Sequence, residues 1–261
     1  MNNLPKNVKP DLNTLMNFSI EQSWGITNKP RFFELMNEAM TLVAPGFYFG
    51  DNLFTWCRNN SWLDDAAFQK AWNENCKNDA DVAIAWRRYI LVCAAYHCVH
   101  LPGDFVECGV YWGTGIKTVT DYLGETAFSK TFWGYDTFDY HPAEHHENYG
   151  EHRVGFFEQV QERFSAYNQV KLIKGLLPDS FENNCPKAIA YLHIDLNSAE
   201  YEIAVLEVLF DLVVAGGVII LDDYEWAASF RNQKIAEDEW FDKRHYRVMP
   251  LPTGQGLVLK R

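Results

Sequence analysis

The chain has no uninterrupted apolar run approaching the ~18–20 residues that cross a bilayer. Its start, MNNLPKNVKPDLN, holds no apolar stretch of the kind a secretory signal needs. Membrane insertion and export are therefore not expected, and the cytoplasm is the expected compartment. Paired cysteines are missing too: Cys57, Cys76, Cys93, Cys98, Cys108 and Cys185 are scattered without a Cys-x-x-Cys. Free, partly buried thiols in reducing surroundings are expected rather than a disulfide framework. Positive charge is scarce. Lys and Arg number 23 against 35 Asp and Glu, a net charge of −12, which opposes non-specific attraction to nucleic acid or anionic lipid. Neither the Gly-Lys-Ser/Thr phosphate loop nor the G-x-G-x-x-G dinucleotide turn is present, which leaves a nicotinamide-dependent oxidoreductase as an alternative only. What is present, 48% hydrophobic and 22% charged residues over 261 positions, fits a folded protein with a substantial core and excludes wholesale disorder.

The grammar of the chain changes near Pro102-Gly103. Before it, apolar residues recur at helical spacing, predicting helices over 31–42, 61–75 and 79–100 with no strands. Ser61 is the expected N-cap of the second, with Asp64 and Asp65 in its first turn. Residues 1–100 thus read as a helical cap on the substrate side, and 101–261 as the catalytic domain. After Gly103, short apolar runs alternate with helical patterns. Strands are expected at 104–108, 131–135, 170–173, 188–194 and 217–221, and helices at 114–123, 155–167, 200–212 and 229–243. Two closing strands, 246–249 and 256–260, can form an antiparallel hairpin. This rhythm predicts an α/β, Rossmann-like fold: a mainly parallel seven-stranded sheet with helices on both faces.

In such sheets ligands bind beyond the carboxyl ends of the strands. The first strand ends in Glu107-Cys108-Gly109 and runs on as Val110-Tyr111-Trp112-Gly113-Thr114-Gly115. Glycines let backbone approach a ligand closely, and the next helix aims its N-terminus at the same place. An acid just before the glycines would repel a pyrophosphate; it suits a ligand with a cationic group and hydroxyls, favouring S-adenosylmethionine (SAM) over NAD. The second strand leads to Asp136, which can accept from ribose hydroxyls or cap the loop that follows. Later strands end in Asp195 and in Asp222-Asp223. Three carboxylates converging there would repel one another unless neutralised, and a hard divalent cation, Mg²⁺ before Mn²⁺ or Ca²⁺, would do so. The alternative is that they cap helices or face solvent. The histidines at 141, 145, 146 and 152 match no zinc spacing and read as a solvated loop.

The motifs GDFVECGVYWGTG, YDTFDYHP, YLHIDLNSAEYE and AGGVIILDDYEW, in that order and each at a strand end, resemble the TylF-like macrocin O-methyltransferase family, and the resemblance extends from about residue 85 to the closing LPTGQGLVLK. It implies a class I, SAM- and Mg²⁺-dependent sugar O-methyltransferase. Glu107, Gly109, Gly113 and Asp136 would hold the cofactor with Val110, Tyr111, Thr114, Gly115 and Gly175, and with Thr137 and Phe138 beside the adenosine. Asp195, Asp222 and Asp223 would ligate the metal, and 140–153, with His141, His145, His146 and His152, would form a lid over the substrate. One departure stands out: where the family commonly has Asp-Gly-Asp, this chain has Asp195-Leu196-Asn197. Asn197 cannot accept a proton, so either another group is the base, His193 being one candidate on the same strand face, or metal coordination acidifies the hydroxyl without one. Asn197 can still bind the hydroxyl. The expected partner is a small molecule or glycan precursor: a polysaccharide or lipopolysaccharide precursor, a nucleotide sugar or a glycosylated natural product. A non-catalytic scaffold remains an alternative, and pairing of two copies through the N-terminal helices is left open.

Overall fold

The computed structural model describes residues 26–42, 48–138 and 154–261. The expected lid with its four histidines lies outside these residues.

The first part of the chain is less uniformly helical than its periodicity predicts. It runs α1 (Lys29–Met40), a hairpin of β1 (Tyr48–Gly50) and β2 (Leu53–Thr55), α2 (Ser61–Asp64), α3 (Ala66–Asn75), α4 (Asp79–Ala83) and α5 (Ala85–Cys98). The hairpin was not expected, because three-residue strands are too short to show an alternation. Its two-residue turn is Asp51-Asn52, both at φ 50°, a conformation Asp and Asn tolerate better than most residues. The expected helix over 61–75 breaks at Asp65, whose carboxylate accepts from the Phe68 N–H at 3.0 Å and caps α3. Ser61 is not a cap; Asn60 takes that position without a side-chain bond. The long helix over 79–100 breaks at Ile84 (φ −119°, ψ 39°). Asp51 supplies the cap there from the hairpin, accepting the Trp86 N–H at 3.0 Å and the Arg87 N–H at 2.8 Å. Those first-turn donors have no partner inside the helix.

Beyond Pro102 the elements are β3 (Asp104–Cys108), α6 (Thr114–Ala127), β4 (Phe132–Asp136), α7 (Phe156–Arg163), β5 (Val170–Lys174), β6 (Ile189–Ile194), α8 (Ala199–Leu209), β7 (Val213–Leu221), α9 (Arg231–Asp242), β8 (Met249–Pro250) and β9 (Gly256–Leu259). They form a seven-stranded sheet of order β5-β4-β3-β6-β7-β9-β8. The first five strands of that order are mutually parallel, and β9 runs antiparallel to both β7 and β8. The seventh strand, expected over 246–249, is only Met249–Pro250; Pro250 has no N–H to donate and sits on the sheet edge, where that is tolerated. The helix expected over 200–212 ends at Leu209 and tightens into a 3₁₀ turn at Phe210–Leu212.

Strand alternation sorts the interior into two cores. Phe105, Tyr191, Val218 and Ile220 face one way, into a cluster with Trp72 of α3, Leu91 and Val92 of α5, and Ile116 and Val119 of α6. Val106, Cys108, Leu192, Ile194, Ile219 and Leu221 face the other, packing on Val205 and Leu206 of α8 and Trp240 and Phe241 of α9. Helices from before Pro102 therefore share the sheet's core. Trp62 and Trp72 are fully buried there, each large apolar side chain contributing about 1.5–3 kcal/mol by leaving water. The chain starts its sheet at β3, moves outward through β4 and β5, then returns to the far side of β3 as β6. That reversal opens a crevice at the strands' carboxyl ends.

Candidate active site

The turn after β3 is shaped by close backbone approach. Gly109 has φ +91°, and a Cβ there would sit 1.8 Å from the Asp195 carbonyl oxygen, so only glycine lets the ends of β3 and β6 meet. A Cβ on Gly113 would lie 2.4 Å from the Phe164 ring. At Gly115 the missing side chain leaves a hollow: a Cβ would be 3.0 Å from Glu107 Oε2 and 3.3 Å from Arg88 Nη1. The crevice is walled by Asp81, Arg88, Glu107, Gly109, Val110, Tyr111, Trp112, Thr114, Gly115 and Asp195. The Thr114 hydroxyl donates to Asp81 Oδ2 at 3.1 Å, tying the start of α6 to α4.

Asp136 acts as a brace for this turn. Its Oδ2 accepts the Val110 and Tyr111 N–H groups at 2.8 and 2.7 Å, and Oδ1 accepts the Phe138 N–H at 2.7 Å. At least three of a carboxylate's roughly four lone-pair sites are thus engaged, and these contacts are those of a cap. Tyr111 and Phe138 are both held at positive φ (51° and 55°), a costly conformation for aromatic residues. Thr137 lies between Asp136 and Phe138, outside the crevice wall, and the Gly175 N–H donates to the Asp136 carbonyl at 3.0 Å.

The acids form a row across the sheet face that α5 covers. Glu107 on β3 is paired in register with His193 on β6. His193 Nδ1 lies 3.2 Å from Glu107 Oε2, and its Nε2 3.1 Å from Asp222 Oδ1. Burial disfavours the imidazolium, but Asp222 and Glu107 outweigh it and push the His193 pKa up to about 10. With a carboxylate close to each ring nitrogen, full burial and no place on the crevice wall, His193 is poorly disposed to act as a general base. Asn197 sits in the loop past Asp195, half-buried, at φ 55°.

The expected repulsion among Asp195, Asp222 and Asp223 is largely answered from within the chain. The buried Arg87 guanidinium hydrogen-bonds the Asp222 carboxylate and carbonyl, reaches Asp223 Oδ1 at 3.0 Å, and lies 4.2 Å over the Trp226 ring. Gln255 Nε2 donates to Asp222 Oδ1 at 2.7 Å. Burial would raise the Asp222 carboxyl, yet Arg87 and His193 hold it well below the usual carboxylate range. Asp195 has no such partner: burial, Asp222 and Asp223 together push it well above that range. So raised, the carboxyl is biased toward its neutral form, and a cation beside it would favour its ionisation.

His193, Asp195 and Asp222 present ligand atoms within 4.8 Å of one another, while Asp223 turns to Arg87. Asp222 already meets Arg87, Gln255 and His193, so a divalent ion held by Asp195 and Asp222 would share the Asp222 carboxylate with those groups. Two carboxylates suffice for Mg²⁺, which usually keeps several waters and takes further oxygens from substrate.

Four contributors escaped the motif reading: Asp81, Arg87, Arg88 and Gln255. The only local signal was Arg87-Arg88 interrupting an otherwise apolar helix, where charged residues are rarely buried without partners.

Residues 92–245, more than half of the chain, match the family model described as macrocin-O-methyltransferase (TylF). Over 142 residues the chain is 28% identical to the 8-demethyl-8-(2,3-dimethoxy-alpha-L-rhamnosyl)-tetracenomycin-C 4'-O-methyltransferase of Streptomyces olivaceus, a match covering 48% of this chain and 54% of that enzyme. The chain thus spans about half the length of that curated relative. Its fold is similar to that of the O-methyltransferase NovP (TM-score 0.59, 21% identity, 73% of this chain and 87% of that one). It is also similar to that of the calicheamicin methyltransferase CalS11 (TM-score 0.56, 17% identity, 90% of this chain and 94% of that one). The fold is that of the methyltransferases, and the chain belongs to the macrocin O-methyltransferase family.

Proposed function

We propose that this protein is a SAM-dependent O-methyltransferase that methylates a hydroxyl of a sugar or glycosylated precursor with the help of a divalent cation, Mg²⁺ first. The observation that carries the reading is the placement of Asp195, an acid with no side-chain hydrogen bond or ion pair among the described residues, on the wall of the same crevice that the glycine turn and Glu107 form. The glycine turn gives SAM close access to backbone, and Glu107 offers a counter-charge to its ammonium. The acidic crevice favours the sulfonium over the neutral thioether product. SAM bound there would supply its methyl group to an acceptor oxygen held close and in line, with S-adenosylhomocysteine as the leaving group and the hydroxyl proton passing to water. When bound by Asp195 and Asp222, a divalent ion supplies acidification of that hydroxyl. Arg87, His193 and Gln255 keep Asp222 ionised and oriented; Asp195 and Asn197 face the acceptor. The rhamnosylated substrate in the name of the Streptomyces olivaceus relative supports a small glycosylated acceptor, in the cytoplasm where SAM is made.

The test is transfer of tritium from methyl-labelled SAM into a panel of glycosylated acceptors and nucleotide sugars. Transfer is expected, falling on the order of 100-fold or more in EDTA or in Asp195→Asn, with Mg²⁺ restoring the former. Undiminished turnover in EDTA overturns the metal's role. Absence of S-adenosylhomocysteine binding in calorimetry overturns the SAM reading itself.

A further inference from the structure

Among the described residues Arg88 is the one cation lining the crevice, and the contacts of the site leave it without a role. Among the described residues its guanidinium makes no hydrogen bond or ion pair, and its Nε is buried without a partner. This contrasts with Arg87 beside it on α5, which is fully engaged. Burial works against the charge of Arg88, but Asp222, Asp81, Glu107 and Asp195 more than offset that, from beyond contact distance. A guanidinium kept charged at a cavity wall, with planar donors unused, is built to meet a planar anion.

Its position says which anion. Nη1 of Arg88 and both carboxylate oxygens of Glu107 border the hollow at Gly115, where a Cβ would lie 3.3 Å from the first and 3.0 and 3.2 Å from the others. An acid and a guanidinium thus flank one glycine at the start of α6, whose free N–H groups also favour negative charge. A zwitterionic α-amino acid carries this pattern reversed, with ammonium and carboxylate on one carbon. Resting on the SAM reading above, we infer that Arg88 binds the α-carboxylate of the methionine moiety of SAM, while Glu107 faces its ammonium. Arg88 is then a cofactor-specificity residue: it separates SAM and S-adenosylhomocysteine from adenosyl thioethers that lack the amino-acid end.

Calorimetry tests this without turnover. With the unaltered protein, S-adenosylhomocysteine is expected to bind about 10- to 100-fold more tightly than its decarboxylated counterpart, the range for a charged hydrogen bond. Arg88→Gln should weaken S-adenosylhomocysteine by a similar factor and leave 5'-methylthioadenosine unchanged, and Arg88→Lys should fall between. Equal binding of the two homocysteine analogues by the unaltered protein overturns the inference, whether or not the variants fold. So does a parallel loss of S-adenosylhomocysteine and methylthioadenosine in Arg88→Gln. If the unaltered protein binds no adenosyl thioether at all, the SAM reading is what fails.

Discussion

The two halves of the crevice are built by different physics. The half proposed for the cofactor is made largely of backbone: a turn that only glycine can form, stitched by Asp136 to three N–H groups. The half proposed for the acceptor is made of side chains: His193, Asp222, Asp223 and Asp195, with Arg87 reaching Asp222 and Asp223 from a helix that precedes the whole sheet. The first keeps its shape through a single carboxylate, Asp136, on backbone donors. The second carries more carboxylates than water-poor surroundings allow and depends on buried cations. A binding surface common to many reactions can be written in a few adjacent residues, whereas an acceptor site is assembled across the chain.

The sharpest way to break this contrast is to remove Arg87. Arg87→Met should destabilise the fold by about 3–5 kcal/mol, the cost of stripping one partner from a buried ion pair, read as a fall in the urea midpoint. Adding Asp222→Asn and Asp223→Asn should recover much of that, since pairless neutral groups are cheaper to bury; no recovery would mean that Arg87 acts through packing on Trp226. Gly109→Ala strikes the other half. A Cβ 1.8 Å from the Asp195 carbonyl, at a φ disfavoured for alanine, should destabilise by about 2–5 kcal/mol and abolish S-adenosylhomocysteine binding. Arg87→Met should leave that binding within a few-fold, so similar binding losses in both variants would erase the distinction between the halves. The smallest effect is expected at Asp65, remote from both: Asp65→Ala should cost about 1–2 kcal/mol through the lost cap of α3 and the Tyr122 hydroxyl bond, with cofactor affinity unchanged.

The same division explains what could be read from sequence. The parallel strands, their order of appearance and the glycine turn were legible because alternation and glycine requirements are local. Strand ends located Glu107, Asp136, Asp195, Asp222 and Asp223 correctly as side chains at the sheet's carboxyl edge. Their roles were not legible, since a role depends on who arrives opposite. Asp136 meets backbone donors, Asp223 meets Arg87, and His193 is caught between two carboxylates. Arg87 and Asp222 are 135 positions apart, and nothing local in WRRYILV announces a pairing over that separation. The helix breaks at Asp65 and Ile84 escaped notice for a related reason. Apolar spacing continues through them, and the break at Ile84 depends on Asp51, a residue from another element.

That Asp51 contact reaches further than its modest place in a two-residue turn implies. By gripping the N–H groups of Trp86 and Arg87, the hairpin sets the rotational phase of α5, and with it where two neighbouring guanidiniums emerge: one toward the aspartates, one toward the glycine hollow. A one-residue slip of the hairpin would swing both by roughly 100°, a helix residue's angular step. The small ribbon before the sheet is therefore the protractor of the catalytic centre, and a change in its turn is a change in what the crevice can hold.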